Sequence, residues 1–264
     1  MAHTAPAPLA NLDEQLIAYQ RDGYFVIPRL FAADEIDILK TIAERDLPSS
    51  RVLTKQDQDG NKISLKMWNG ASEDIYGLFS RNERIVRVVE HVLGAAVYLY
   101  SAKMILKEAR EGGAWEWHQD YGYWYANKCL APTMMSCMIA VDSNQVENGC
   151  LQVLRGSHRL GRLDDDRRGE QSVADPERVE VALRIFERAY VTLEPGDALF
   201  FHCNLLHRSD ANKSQGRRWN YICSYNSTSN RPYKQVRDYG HDGDLKPVPA
   251  AAIRAFAANT RGTS

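Results

Sequence analysis

From Gly94 to Asn226 the chain breaks into short runs rich in Val, Tyr, Trp and Phe: VYLYSAKMILKE, AWEWHQDYGYW, MMSCMIAVD, GCLQVLRGS, AYVTLE, DALFFHC and RWNYICSYN. Gly, Asn and Asp punctuate them. Branched and aromatic side chains suit a pleated, half-buried surface, and the punctuating residues suit turns. Such a succession predicts about eight strands, closed into a barrel or a two-sheet sandwich that leaves few open edges. One helix interrupts them. Asp175-Pro176 offers an N-cap and a first-turn proline, and Val179, Ala182, Leu183 and Phe186 fall on one face.

Ahead of Gly94 the pattern is mostly helical. A helix is expected over roughly residues 12–22, with Leu16 and Tyr19 inward and Gly23 as its stop. YFVIP reads as a strand ended by Pro28. Residues 34–47 carry Ile36, Leu39, Ile42 and Ala43 at helical spacing, and Pro48 ends them. SSRVLTKQDQDGNK reads as a polar loop. NERIVRVVEHVLG reads as an amphipathic helix, with Ile85, Val88, Val89 and Val92 on one face and Gly94 as C-cap. Residues 1–11 are Ala/Pro-rich and read as frayed; the tail after Asn226 is Pro/Gly-rich and weakly helical at 250–257. No composition break marks a second domain. The expectation is one domain over 1–264: mostly helical support over 1–94, a β core over 95–226 and a tail over 227–264.

Composition narrows the function class. Lys and Arg number 33 against 34 Asp and Glu, which argues against a dedicated nucleic-acid binder. No apolar run has the length of a membrane helix, and the first residues lack the pattern of a secretory signal, so a cytoplasmic protein is expected. The five cysteines, Cys129, Cys137, Cys150, Cys203 and Cys223, are odd in number, widely spaced and without a CxxC pair. They read as buried thiols rather than a disulfide framework or a thiolate zinc site.

The chemistry-bearing residues cluster in the β region. In WEWHQDYGYW, His118 and Asp120 are two apart, which on a strand aims both at one point. That supplies two corners of the 2-His-1-carboxylate triad of non-haem Fe(II) oxygenases. An H-x-D match alone is weak, since roughly half a match is expected by chance in a chain of this composition. DALFFHCNLLHRSD, further along, adds His202 and His207, and either could close the triad. An oxygenase using 2-oxoglutarate also needs a cation for the distal carboxylate. Arg218 suits that role because a guanidinium grips a carboxylate bidentately; with Arg217 it could equally be a loop charge. His3, His91 and His158 read as structural or solvated. Alternation places Trp115, Trp117, Tyr121 and Tyr123 opposite His118, as sheet packing, and leaves Trp124 near the barrel mouth. Lys66, Trp68 and Asn69 form a polar-aromatic cluster before the barrel, from which Lys66 could reach substrate. RLDDDRRGEQ reads as a solvated flap that could close over substrate.

Several linked motifs in one order carry a resemblance. They are the DGYFVIP segment, W-H-Q-D at 117–120, E-N-G-C-L-Q-V-L-R-G-S-H at 147–158, P-G-D-A-L-F-F-H at 195–202, His207-x-Ser209 and Arg218. In these the chain resembles the phytanoyl-CoA dioxygenase family, which includes ectoine hydroxylases. The resemblance covers most of the chain. It implies a mainly β fold with flanking helices, a double-stranded β-helix of the jelly-roll, cupin-like kind. It also implies Fe(II) and the cosubstrate 2-oxoglutarate, with O2 consumed, succinate and CO2 released, and ascorbate supportive. Carried over, the pattern makes His118, Asp120 and His207 the iron ligands. Arg218 and Ser209 would bind the 2-oxoglutarate distal carboxylate, Ser136 would touch the cosubstrate, and His202 would be structural. Related halogenases replace the carboxylate with a small residue, so Asp120 argues against halogenation. Ectoine hydroxylases carry an asparagine where this chain has Ile105, a departure that weighs against ectoine as substrate. The implied partner is a small molecule, not nucleic acid or membrane, acted on by a monomer or homodimer. Competing readings are a jelly-roll metalloenzyme without 2-oxoglutarate and a non-catalytic binding protein on the same fold.

Overall fold

Helix α1 (Leu12–Asp22) stops at Gly23, whose φ of 83° lets its N–H reach back to Tyr19 O at 2.9 Å. Strand β1 (Tyr24–Ile27) and helix α2 (Ala33–Asp46) follow as the periodicity predicts. A computed structural model describes residues 11–48, 50–68, 70, 72–235 and 245–261; the expectations for 1–10 with His3 and for Asn69 lie outside the described residues.

The segment read as a polar loop is instead largely a hairpin, β2 (Leu53–Gln56) against β3 (Lys62–Trp68). The Asp57 carboxylate organises its turn by accepting from the backbone N–H groups of Asp59, Asn61 and Ala114. Strand β2 is the sheet edge and largely exposed, so its sequence lacks the apolar alternation that betrays a strand. A short helix, α3 (Ile75–Ser80), is capped by Asp74 and precedes α4 (Glu83–Leu93), whose N-cap is Asn82 and whose C-cap is Gly94.

Beyond Gly94 come β4 (Val97–Lys107), β5 (Trp115–His118), helix α5 (Asp120–Ala126), β6 (Met134–Ala140), β7 (Leu151–Leu154), β8 (Asp165–Arg168) and β9 (Gln171–Ala174). The predicted helix is α6 (Pro176–Ile185), with Asp175 accepting from Arg178 N. After it run β10 (Arg188–Val191), β11 (Ala198–His202), β12 (His207–Ser209), β13 (Arg218–Ser227) and a terminal helix, α7 (Ala252–Arg261). The segment expected as a solvated flap forms the two-stranded β8–β9 hairpin. It docks by hydrogen bonds from Gln56 N to the Glu170 carboxylate and from Tyr123 OH to Ser172 O.

Two antiparallel sheets make the core. The larger has strand order β1-β11-β6-β13-β4-β3-β2 and the smaller β10-β7-β12-β5. The architecture is a jelly roll flanked by helices. Alternation gives the large sheet two apolar faces. Met104, Cys137, Phe200 and Tyr221 pack against the helices, while Ile105, Met138, Phe201 and Ile222 face the small sheet. The five cysteines are free and buried. No helix among the described residues is long and apolar enough to cross a membrane.

Candidate metal centre and its cavity

The two sheets enclose a cavity of about 310 Å³. His118, Asp120 and His207 meet in its wall, all buried, with ligand atoms within 4.8 Å of one another. The route to this cluster differs from simple strand alternation. His118 is the last residue of β5, Gln119 is an extended N-cap, and Asp120 is the first residue of α5. The strand end and the helix start together aim the imidazole and the carboxylate inward. His207 opens β12 directly opposite His118, and their rings lie 4.1 Å apart.

Alternation also decides between the two candidate histidines. On β11, Phe201 faces the cavity, so His202 faces away. Its ring lies 5.5 Å from that of Tyr19 and 5.2 Å from that of His158. His202 is structural. His91 pairs with Asp13 at 3.2 Å.

The donor chemistry fits a divalent metal. His118 Nδ1 lies 2.7 Å from Glu116 O and His207 Nδ1 lies 2.9 Å from Leu205 O. Each carbonyl selects the tautomer protonated at Nδ1 and leaves the Nε2 lone pair for a metal. Burial, with the neighbouring His207 second, pushes His118 down to about 3, so its ring is neutral at physiological pH. Burial raises the Asp120 carboxyl, but Lys103, His207, His118 and the Ser136 hydroxyl outweigh it, and the group stays below its ordinary value.

Arg218 begins β13 and is 2% exposed, yet it lines the same cavity. Its Nη1 reaches Asn144 Oδ1 at 3.4 Å, its Nε has no partner, and no carboxylate pairs with it among the described residues. Burial lowers it to about 10, still a cation at neutral pH. A buried guanidinium with unused donors is a cradle for a carboxylate, as 2-oxoglutarate requires. Arg217, by contrast, points outward to Glu44 and Asp142. Ser209 lines the cavity two residues after His207.

The other expected site residues divide. Trp124 lines the cavity. The Ser136 hydroxyl donates to Asp120 Oδ2 at 3.1 Å and meets Ser224 Oγ at 3.0 Å; it is not among the lining residues, so it steadies the carboxylate. Lys66 does not reach the cavity. Leu65 and Met67 face inward on β3, which sends Lys66 to the opposite face, its ammonium 6.0 Å from the Trp68 ring centre.

Trp115 and Tyr123 correct the expectation of pure sheet packing, since both line the cavity. The β5–β12 pairing slips between His118↔His207 and Trp115↔Ser209. Between those pairs two residues of β5, Glu116 and Trp117, oppose one of β12, Arg208, a bulge that turns Trp115 onto the same side as His118. Tyr123 lies on α5, three residues after Asp120, where helical spacing puts both on one face. Trp117 and Tyr121 do pack outside, as expected.

Sequence reasoning missed two lysines. Ser101, Lys103 and Ile105 line the cavity from β4. Lys107, next on that face, is 2% exposed and donates to Ser209 Oγ at 3.0 Å and to Asp210 O. Burial, then Arg218, holds its pKa well below the ordinary lysine value. The signal was present: lysines two and six residues after Ser101 in an otherwise apolar strand.

Known proteins bear on this site. A family model for phytanoyl-CoA dioxygenase (PhyH) matches residues 19–219. The chain belongs to the phytanoyl-CoA dioxygenase family. An L-proline trans-4-hydroxylase from Streptomyces griseoviridis is 26% identical over 244 residues, spanning 86% of this chain and 91% of the relative. An ectoine dioxygenase from Sphingopyxis alaskensis is 28% identical over 245 residues, spanning 86% and 79%. The crystal structure of EctD from S. alaskensis with 2-oxoglutarate and 5-hydroxyectoine has a TM-score of 0.77 at 24% identity, covering 94% of this chain and 90% of that one. The epimerase SnoN from nogalamycin biosynthesis has a TM-score of 0.69 at 19% identity, covering 91% and 98%. Both structural likenesses speak to the fold. With its triad intact, this phytanoyl-CoA dioxygenase family member is an Fe(II)- and 2-oxoglutarate-dependent oxidoreductase acting on a small molecule.

Proposed function

We propose that the enzyme hydroxylates, or otherwise oxidises, an unactivated C–H bond of a small metabolite or natural-product intermediate. His118, Asp120 and His207 hold the iron, Arg218 and Ser209 hold the distal carboxylate of 2-oxoglutarate, and O2 is the oxidant, with ascorbate supportive. Trp124 borders the substrate. The observation that carries this reading is the buried, carboxylate-free Arg218 in one cavity with the His118–Asp120–His207 cluster. Bound Fe(II) would activate O2, with 2-oxoglutarate supplying two of the four electrons as it is converted to succinate and CO2, and the substrate C–H bond supplying the other two.

The chain's own residues do the rest. Glu116 O and Leu205 O fix the two imidazole tautomers. The Ser136 hydroxyl orients the Asp120 carboxylate. Lys107 fixes the Ser209 hydroxyl beside Arg218. Leu65, Met138, Phe201 and Ile222 keep water from the reacting carbon. The relatives' substrates, L-proline and ectoine, are both small, which agrees with the cavity size. Ile105 faces the cavity, and its apolar side chain disfavours ectoine here. One catalytic domain, working in the cytoplasm as a monomer or homodimer and without nucleic acid, completes the proposal.

The test is anaerobic addition of Fe(II) and 2-oxoglutarate to the purified protein. A visible charge-transfer band is expected, followed by succinate formation on admitting O2. A protein that binds Fe(II) but gives neither band nor succinate would favour a jelly-roll metalloenzyme of another class.

A further inference from the structure

Among the described residues lining the cavity, Asp120 is the single carboxylate, whereas Lys55, Lys103 and Arg218 are cations. Two of these cations have other work. Lys55, on edge strand β2, donates to Glu170 O of the β8–β9 hairpin at 3.2 Å. Arg218 lies at the buried end suited to the cosubstrate. Lys107 sits behind Ser209 and does not line the cavity.

Lys103 is different. It projects inward from the middle of β4, and its side chain is 25% exposed. Its one charged partner among the described residues is Asp120, at 3.9 Å, the outer limit of an ion pair. No hydrogen bond holds its ammonium among the described residues. In the loaded enzyme Asp120 serves the metal. The charges of Fe(II) and Arg218 are then balanced by Asp120 and the dicarboxylate of 2-oxoglutarate, and Lys103 is left over. An unpaired ammonium in a largely apolar cavity is costly, so the remaining occupant is selected for negative charge.

We infer that Lys103 reads a carboxylate on the primary substrate, which makes the substrate a small carboxylic or amino acid. This rests on the reading of the cavity as an Fe(II)/2-oxoglutarate site. One lysine and a cavity of about 310 Å³ suit a single carboxylate better than the several phosphates of a coenzyme A thioester. The carbon skeleton packs on Leu65, Met67, Ile105 and Ile222, and the ammonium beside Asp120 holds the carboxylate close to the iron ligands. Lys103 is therefore a specificity-determining residue.

The experiment uses the intact protein loaded anaerobically with Fe(II) and 2-oxoglutarate. Its charge-transfer band first reports whether the cosubstrate site is as proposed, independently of any substrate. The probes are the proteinogenic amino acids and a set of small aliphatic and cyclic monocarboxylic acids, each beside its primary amide. L-proline with L-prolinamide is the first pair. Binding is read as perturbation of that band and turnover as succinate on admitting O2. The expected result is that the probes that bind are acids, each at least about tenfold tighter than its amide. Lys103→Met should weaken the acid by about tenfold or more while leaving half-saturation by 2-oxoglutarate within about twofold, and Lys103→Arg should recover most of the loss. A band that forms while amides bind as well as acids, or while no acid binds, overturns the inference. So does a Lys103→Met variant whose defect lies in 2-oxoglutarate rather than the acid. The acid–amide comparison on the unmodified protein decides the matter even if Lys103→Met folds poorly.

Discussion

A histidine that holds a divalent metal must be neutral and turned the right way. Here two backbone carbonyls, Glu116 O and Leu205 O, do the turning, each from two residues upstream of the ring it fixes. His118→Ala and His207→Ala should each lose stoichiometric iron by metal analysis, whereas His202→Ala should keep it. Retention of iron and activity in His207→Ala alone would reassign the third ligand. Arg218→Ala removes the charge facing the cosubstrate. It should raise half-saturation by 2-oxoglutarate about ten- to a hundredfold, the scale of a lost charge-assisted hydrogen bond, with iron still bound. The ligand set was legible as H-x-D with a later histidine. The choice between His202 and His207 needed the orientation of Phe201, which sets which residues of β11 face inward. Lys103 and Lys107 were legible from the alternation of β4 but are easily passed over, because a lysine in an apolar run reads as a surface residue.

At the scale of elements, small irregularities aim the site. The bulge in β5 turns Trp115 into the cavity, and the change from strand to helix at Gln119 does the same for Asp120 and Tyr123. Neither was readable, because alternation assumes an unbroken strand. Helices α1, α2, α4 and α6 were readable from caps and period. The β2–β3 and β8–β9 hairpins were not, since exposed, polar edge strands look like loops. Gly149 tests how tightly the turn before β7 is built. Its φ is 75°, and a Cβ there would lie 2.1 Å from Asp210 O, a backbone atom next to Ser209. Gly149→Ala should destabilise the fold and weaken 2-oxoglutarate binding, since strand β12 must shift; chemical denaturation and cosubstrate titration check both. Asp175→Ala should cost about 1 kcal/mol through its lost N-cap and leave activity intact.

The helical layer braces the large sheet from behind, and one buried ion pair links two of its helices. Arg84, on α4, grips Glu35, on α2, through bonds of 2.8 and 2.9 Å, with both side chains buried. Glu35→Ala would strand a buried cation and should cost about 3–5 kcal/mol by denaturant melt. Acid should weaken the metal-free protein for a related reason. Burial, with His158 second, depresses His202 to about 4, against an ordinary histidine value of about 6.5. Between those pH values the unfolded chain holds the extra proton, so stability falls as pH drops through that window and is level above it. Replacing His202 with Asn should lessen this acid limb in urea melts at pH 7 and pH 5, and the remainder belongs to the other buried histidines, His118 and His207. Exposure also grades along the cavity, from Arg218 at 2% through the Lys103 side chain at 25% to Leu53 at 39%. Access is thus least at Arg218 and greatest near Leu53. Whatever lies at the far end must enter first and leave last, so turnover should follow a compulsory order. Product-inhibition kinetics should show the keto acid binding before the substrate and succinate leaving after the oxidised product; random-order patterns would contradict this.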